Sequence, residues 1–349
     1  MATLKVVVPM AGLGKRLGGL TKHKPKALVR LTDQRLLDHV LFTFKQLEKT
    51  YTLEYIFITG FLGEQIKEYM QQEHPDKKIT YFRQDQLLGQ SHAVYLAKEA
   101  ISGPILLTFC DTINELDLSF LPYETAGGIA FVQEVDDPRR HGVAVTGPDH
   151  LVTKLVEKPQ TMEYRLALTG FYYFREGEEL IKAIEAQIQR SESLNNEYYL
   201  ADAINIMMSN GIRVRIEKAL QWLDAGTPEA LIDTNAHLLK RRRETRHEAV
   251  EIQGNILIHP VYIHESARVE NSIIGPNVTV GMNCLIQSSI LKDTVVDDDS
   301  RIMEATLKNS LVGKGCTLNG KPMQAVYTDY SSTKIYSAND EVNSLTSVG

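Results

Sequence analysis

A short apolar run leads into glycines and then into a crowd of cations in KVVVPMAGLGKRLGGLTKHKPKALVRL, residues 5–31. Lys15, Arg16, Lys22, Lys24 and Lys26 gather there, in a chain whose formal net charge is −6. A strand that turns through glycines into a helix aims free backbone N–H groups at an anion. Gly12 and Gly14 let that backbone approach a phosphate with no Cβ in the way. One reading is a dinucleotide fingerprint, Gly12-x-Gly14-x-x-x-Gly18. It requires an acidic residue about twenty positions on, at the end of a second strand. The stretch found there, Lys22–Leu31, is basic and turn-like. Several phosphates in a row account for these cations better than a single pyrophosphate bridge.

Other chemistry-bearing residues are spread along the chain. PILLTFCDTI, residues 104–113, reads as a buried strand that delivers Asp111 to its carboxyl end. Gln84, in RQDQLLGQSHAV, carries a donor and an acceptor in one amide. Standing alone, it would read as a surface glutamine. Glu157 and Lys158, in LVEKPQ, would equally suit a surface salt bridge. No Ser-His-Asp or Cys-His arrangement for covalent catalysis stands out.

The elements that must position these residues show in the hydrophobic pattern. KVVVP (5–9), YIFIT (55–59), ITYF (79–82), PILLTF (104–109) and GIAFV (128–132) read as short, mostly buried strands. Residues 36–49, 63–73 and 90–100 carry apolar side chains at helical steps. Such alternation predicts an α/β domain with a mostly parallel sheet and ligands at the carboxyl ends of its strands. After residue 250 the helical period gives way to an internal repeat. Ile263, Val280, Val296 and Val312 form one row; Val269, Ile286, Ile302 and Leu318 a second; Ile274, Leu291 and Leu307 a third. Steps within a row are sixteen or seventeen residues, with Gly275, Gly281, Gly313 and Gly315 at turn positions. The pattern resembles a hexapeptide-repeat, left-handed parallel β-helix. The expected organisation is an α/β domain over 1–240, a basic linker over 241–249, the β-helix over 250–325 and a polar tail over 326–349.

Composition sets the limits. With 43% hydrophobic and 23% charged residues the chain matches an ordinary globular protein, and its acidic balance argues against nucleic-acid coating. The basic run KRRRETRHE, residues 240–248, lacks the interleaved aromatics of a nucleic-acid patch and reads as a solvated helix end. Cys110, Cys284 and Cys316 are far apart, which excludes a disulfide scaffold or a thiolate zinc site and fits a reducing compartment. The N-terminal apolar run is too short for a signal sequence and no stretch suits a bilayer span, so a cytoplasmic protein without a membrane partner is expected.

PMAGLGKRL…KPKALV resembles the signature loop of the sugar-1-phosphate nucleotidyltransferases, a G-x-G-T-R-x stretch followed by P-K-x-L. Lys15 stands where threonine is usual, and Gly18–Gly19 where proline is common. Further motifs follow in the family's order up to about residue 235. The resemblance implies a Rossmann-like domain that couples a nucleoside triphosphate to a sugar 1-phosphate and releases pyrophosphate. It assigns Arg16, Lys26 and Lys158 to catalysis. Ala11, Gly12, Gly14, Gln84 and Gly89 would hold the nucleotide. Gly142, Glu157, Lys158, Thr169, Gly170, Tyr172 and Glu197 would hold the sugar phosphate. Asp111 and Asp224, the latter in W-x-D-x-G-T, would hold Mg²⁺. Cys110 and Thr112 depart from the family's G-D-x, and His141 stands where an aromatic is common. Gln84 favours UTP or dTTP, and glucose 1-phosphate leads N-acetylglucosamine and galactose phosphates as the sugar. A homo-oligomer formed in part through the β-helix is expected. Two alternatives remain open. One is a regulatory module that senses a nucleotide sugar. The other is a bifunctional N-acetylglucosamine-1-phosphate uridylyltransferase and acetyltransferase, with His259 and His264 at the β-helix entrance.

Overall fold

The computed structural model describes residues 1–193, 196–242, 249–252 and 254–320. Its first half builds strands β1 (Ala2–Pro9), β2 (Arg30–Leu31), β3 (Gln34–Arg35), β4 (Tyr51–Thr59), β5 (Lys78–Arg83), β6 (Ile105–Thr108) and β7 (Thr112–Glu115). Helices α1 (Leu36–Phe42), α2 (Gly63–Glu73) and α3 (Gln90–Leu96) are interleaved with them. Then come β8 (Gly128–Glu134), β9 (Gly142–Thr146), β10 (Val152–Glu157), β11 (Leu166–Phe174), α4 (Gly177–Gln189), α5 (Leu200–Ser209), β12 (Val214–Lys218), β13 (Gln221–Asp224) and α6 (Pro228–Arg242).

The main sheet runs β10-β9-β11-β6-β1-β4-β5, with β8 on β11 and β12 on β8. β1 sits at its centre, and Val6, Val7 and Val8 are fully buried. Val6 and Val8 face one core cluster while Val7 faces the other, so the strand is a continuous apolar run rather than an alternating one. Each of these valines contributes about 1.5–3 kcal/mol by leaving water. The β6-β1-β4-β5 half is parallel, and β11 runs antiparallel to β6, β8 and β9. The sheet is therefore mixed, parallel through β6-β1-β4-β5 and antiparallel around β11. Chain order reverses between β1 and β6, the switch point at which open α/β sheets bind ligands.

Helical periodicity located the helices well. Residues 63–73 are helical throughout, while the runs at 36–49 and 90–100 end in tighter turns, at Thr43–Leu47 and Lys98–Ala100. The repeat after residue 250 folds as its spacing requires. Ile263 pairs with Val280, Val280 with Val296 and Val296 with Val312. Val269–Ile286–Ile302–Leu318 and Ile274–Leu291–Leu307 pair in the same way, all parallel. Their inward side chains form a separate core, consistent with a nearly closed left-handed β-helix. Asn271, Asn277, Asn283, Asp293, Asp299 and Asn309 take left-handed backbone at the corners, the residue types that tolerate it best after glycine. Residues 243–248 of the basic run and all of the expected tail at 326–349 lie outside the described residues. Among the described residues no helix is long and apolar enough to cross a membrane.

Candidate active site

Asp111 follows β6 at the switch point, and β7 begins with the next residue. β7 pairs antiparallel with β13, and Asp224 lies opposite Thr112. The Ala225 N–H donates to the Asp111 carbonyl at 2.9 Å. Two carboxylates distant in sequence are thus brought side by side by backbone pairing alone. Pro25 starts the turn Lys26–Leu28, which turns Lys26 inward until its side chain is 8% exposed. Its Nζ donates to Asp111 Oδ2 at 2.7 Å, and the exposed Arg16 guanidinium stands 3.8 Å from the same oxygen. The Gly226 N–H donates to Asp224 Oδ1 at 2.8 Å.

The charges separate the roles of the two aspartates. Burial would raise the pKa of Asp111, but Lys26 and Arg16 outweigh it and hold the carboxyl below its usual range. Burial, and then the neighbouring Asp111 charge, push Asp224 upward. A divalent cation between the two carboxylates would relieve their mutual repulsion and offset the cost of burying their charge. Two carboxylates of this kind suit Mg²⁺, which takes one or two protein carboxylates and completes its shell with waters and phosphate oxygens. Among the described residues there is no group of three or more His, Cys, Asp or Glu arranged for a metal, so the pair would be the whole protein share of such a site. Burial pushes the Cys110 thiol up to about 12, so it remains protonated and unreactive.

The glycine loop lies over the same crevice. Gly14 takes left-handed backbone and accepts a hydrogen bond from the Thr21 hydroxyl at 3.1 Å. A Cβ at Gly12 would meet nothing within 4 Å, so that position faces open space. Ala11 is buried against Gly60, where a Cβ would come 2.6 Å from the Ala11 carbonyl oxygen.

Gln84, at the end of β5, is 5% exposed rather than a surface residue. Its amide NH₂ donates to the Gly89 carbonyl at 3.1 Å and faces His92 Nδ1 at 3.0 Å. The donor half of the amide is therefore occupied within the protein. Gly89 has φ +99°, and a Cβ there would lie 2.5 Å from the Tyr198 nitrogen, a backbone collision.

The sugar-type residues line the antiparallel half. Gly142 pairs with Glu157 across β9 and β10. A Cβ at 142 would stand 2.9 Å from Leu168 Cδ1 and 3.0 Å from Glu157 Oε2, so the glycine makes room for that carboxyl. Burial, reinforced by Asp202 and Glu197 against Lys158, raises the pKa of Glu157. Lys158 has φ +45°; its N–H donates to the His141 carbonyl at 3.0 Å, and its Nζ reaches the Tyr199 hydroxyl at 3.3 Å. Gly170, at φ +73°, interrupts β11 where a Cβ would strike Phe109 at 2.9 Å. Tyr172 is buried and stacks on Phe174, while Glu197 is exposed. The buried Thr169 hydroxyl and Trp222 Nε1 have no hydrogen-bond partner among the described residues.

His141 joins the two halves. Its ring lies edge-on to Trp222 at 4.9 Å, and it is close enough to Asp224 to feel that charge, although burial dominates and lowers its pKa. Tyr199, His92 and Asn114 are site neighbours to which the motifs gave no role, and Trp222 is the tryptophan of the W-x-D-x-G-T motif. Asn114 donates to the Thr169 carbonyl at 3.4 Å. An aromatic that packs under a lysine leaves no spacing signal, so only the fold reveals it.

Residues 5–241 match the family model described as nucleotidyl transferase, and residues 247–306 match one described as a GlmU-like C-terminal hexapeptide. The chain is 28% identical over 341 residues to the bifunctional protein GlmU of Methanococcus vannielii, covering 90% of this chain and 78% of that one. It is 30% identical over 233 residues to the UTP–glucose-1-phosphate uridylyltransferase AglF of Haloferax volcanii, covering 65% of this chain and 93% of that protein. In structure it resembles a UDP-glucose pyrophosphorylase complexed with UDP-glucose, with a TM-score of 0.57 at 21% identity over 69% of this chain and all of the other, a likeness of fold.

Proposed function

The chain belongs to the nucleotidyl transferase family and is a sugar-1-phosphate nucleotidyltransferase, and from that premise we propose that it couples UTP or dTTP to glucose 1-phosphate, releasing pyrophosphate. The observation that carries the reading is the meeting of Lys26, Asp111 and Asp224 at the switch point, beside a glycine loop that carries Arg16.

The sugar phosphate is already an anionic nucleophile, so no general base is required. The difficulty is bringing two highly charged anions together for in-line attack on the α-phosphorus. Mg²⁺ held by Asp111 and Asp224 would supply charge neutralisation and alignment of phosphate oxygens. Arg16, two-thirds exposed, is free to swing onto the β- and γ-phosphates and support the leaving pyrophosphate. Lys26 exchanges part of its hold on Asp111 for a phosphate near the reacting centre. Lys158 receives the sugar's phosphate, with Tyr199 as its resting partner. Glu157 accepts from sugar hydroxyls, in the space that Gly142 leaves open. Gly170, Thr169 and Tyr172 form the second wall, and Glu197 closes the rim.

Base choice rests on Gln84. With its NH₂ occupied by Gly89 and His92, the amide oxygen accepts from N3–H of uracil or thymine, while cytosine presents an acceptor there and is repelled. Among the described residues nothing accepts from the Gly89 N–H, which suits it to the base O4. One methyl distinguishes the two candidate bases, worth only about 1–3 kcal/mol in an apolar pocket. At the β-helix entrance, His264 Nδ1 is engaged by the Ser266 hydroxyl at 2.9 Å, which favours a supporting role for the β-helix over acetyl transfer. Purified protein given Mg²⁺, UTP or dTTP and glucose 1-phosphate should release pyrophosphate, and Lys158→Ala should cut that release about 10²-fold or more.

A further inference from the structure

The segment between the glycine loop and α1 faces two ways. Lys26 points into the crevice onto Asp111, while Lys24, Arg30 and Arg35 point away from it into the β-helix. There they meet Asp297 and Asp298, which follow Val295 and Val296 in TVVDDDS and are 4% and 2% exposed. Lys24 pairs with Asp297. Arg30 Nη2 lies 2.8 Å from Asp298 Oδ1, and Arg35 spans both carboxylates, at 3.1 Å from Asp297 Oδ1 and 2.6 Å from Asp298 Oδ2. The Met282 N–H also donates to Asp298 Oδ1 at 2.8 Å, which fixes that carboxylate to the coil below. Three basic side chains from one domain thus converge on two buried carboxylates of the other.

A second tie reaches the other metal-type carboxylate. On α6, the Thr234 hydroxyl donates to the Asp224 carbonyl at 2.6 Å. The next residue, Asn235, accepts at Oδ1 from the Thr32 N–H at 3.0 Å and from the β-helix Thr279 hydroxyl at 2.8 Å. Both sides of the Asp111–Asp224 pair are therefore anchored, within one or two residues, to the same face of the β-helix. Surface ion pairs contribute little and vary freely, but ion pairs this buried fix geometry, because losing one partner strands the others without solvent.

We propose that Asp297 and Asp298 are positioning residues for nucleotidyl transfer, holding residues 24–35 so that Lys26 stays seated at Asp111. The β-helix is on this account a brace for the catalytic loop within its own chain, whatever contacts it also makes with other subunits. The inference rests on the functional reading above, and its test separates the two. Asp297→Asn/Asp298→Asn and, as a milder variant, Arg35→Met are compared with the wild-type chain in pyrophosphate release and in amide hydrogen exchange of residues 22–32. The expected result is faster exchange in that segment and a kcat lower by about tenfold or more, with KM for the sugar 1-phosphate within about twofold, since Lys158 lies outside the brace. Unchanged exchange, or faster exchange with wild-type kcat in a folded variant, overturns the proposal. If the double variant does not fold, Arg35→Met decides by the same two readouts. A wild-type chain that releases no pyrophosphate from any substrate pair overturns the functional reading instead, while exchange still decides whether the β-helix holds the loop.

Discussion

Asp111→Asn is the substitution whose consequences can be worked furthest from the geometry. It preserves shape and removes one negative charge that Lys26 meets at 2.7 Å and Arg16 at 3.8 Å. Lys26 is 8% exposed and would keep its ammonium with no carboxylate beside it. Breaking a fully buried pair costs about 3–5 kcal/mol, but Asp111 is 26% exposed, so about 2 kcal/mol of stability is the fair expectation. The loss in catalysis is larger relative to what remains. Single electrostatic contacts at a reacting centre are worth about 10²–10³ in rate, or roughly 3–4 kcal/mol of transition-state stabilisation. The fall should appear in kcat under saturating Mg²⁺ and substrates, since added metal cannot replace a missing ligand. Asp224, now raised by burial and then by Asp111, should ionise at lower pH in the variant. Pyrophosphate release measured beside a thermal melt decides the matter. A folded variant with activity within about threefold of wild type would refute the placing of Asp111 at the chemistry.

Other expectations follow from the same geometry. Lys158→Ala should leave the fold intact, because the side chain is 51% exposed, and should cut turnover about 10²-fold or more in a steady-state assay across sugar-phosphate concentrations. Gly89→Ala should destabilise by about 1–3 kcal/mol from its backbone conformation alone and more from the Tyr198 collision, and it should weaken triphosphate binding measured by calorimetry. Burial opposes, but Arg35 and Arg30 hold, the Asp298 carboxyl below its unfolded value. Its contribution to stability is therefore full above the ordinary carboxylate range and is lost as pH falls through the lowered folded value. Melting temperatures of the wild type should drop along that acid limb, and Asp298→Asn should flatten it.

Much of this was legible in the sequence. The β-helix rows could be assigned residue by residue because a sixteen- or seventeen-residue step lets each apolar side chain stack on the one a coil below. The central strand was equally plain, since burial on both faces leaves Val6–Val8 no reason to alternate. The antiparallel half was harder. β9 and β10 carry short, half-exposed patterns, and what holds them is their pairing with each other and that of β9 with β11, a non-local fact. At the site, residue types and order suggested the charged groups, but not how they are held. Gln84 reads as a free amide until the fold shows its donors committed to Gly89 and His92. Asp297 and Asp298 look like a polar turn in the repeat, and only packing reveals the three basic side chains that meet them.

The most direct test of the central claim is pyrophosphate release, with and without Mg²⁺, across four nucleoside triphosphates and a panel of sugar 1-phosphates. The account predicts Mg²⁺-dependent release with UTP or dTTP and one preferred sugar, glucose 1-phosphate foremost, and little with CTP or ATP. Triphosphate binding without release on any sugar phosphate would contradict it and make the glycine loop a recognition site alone.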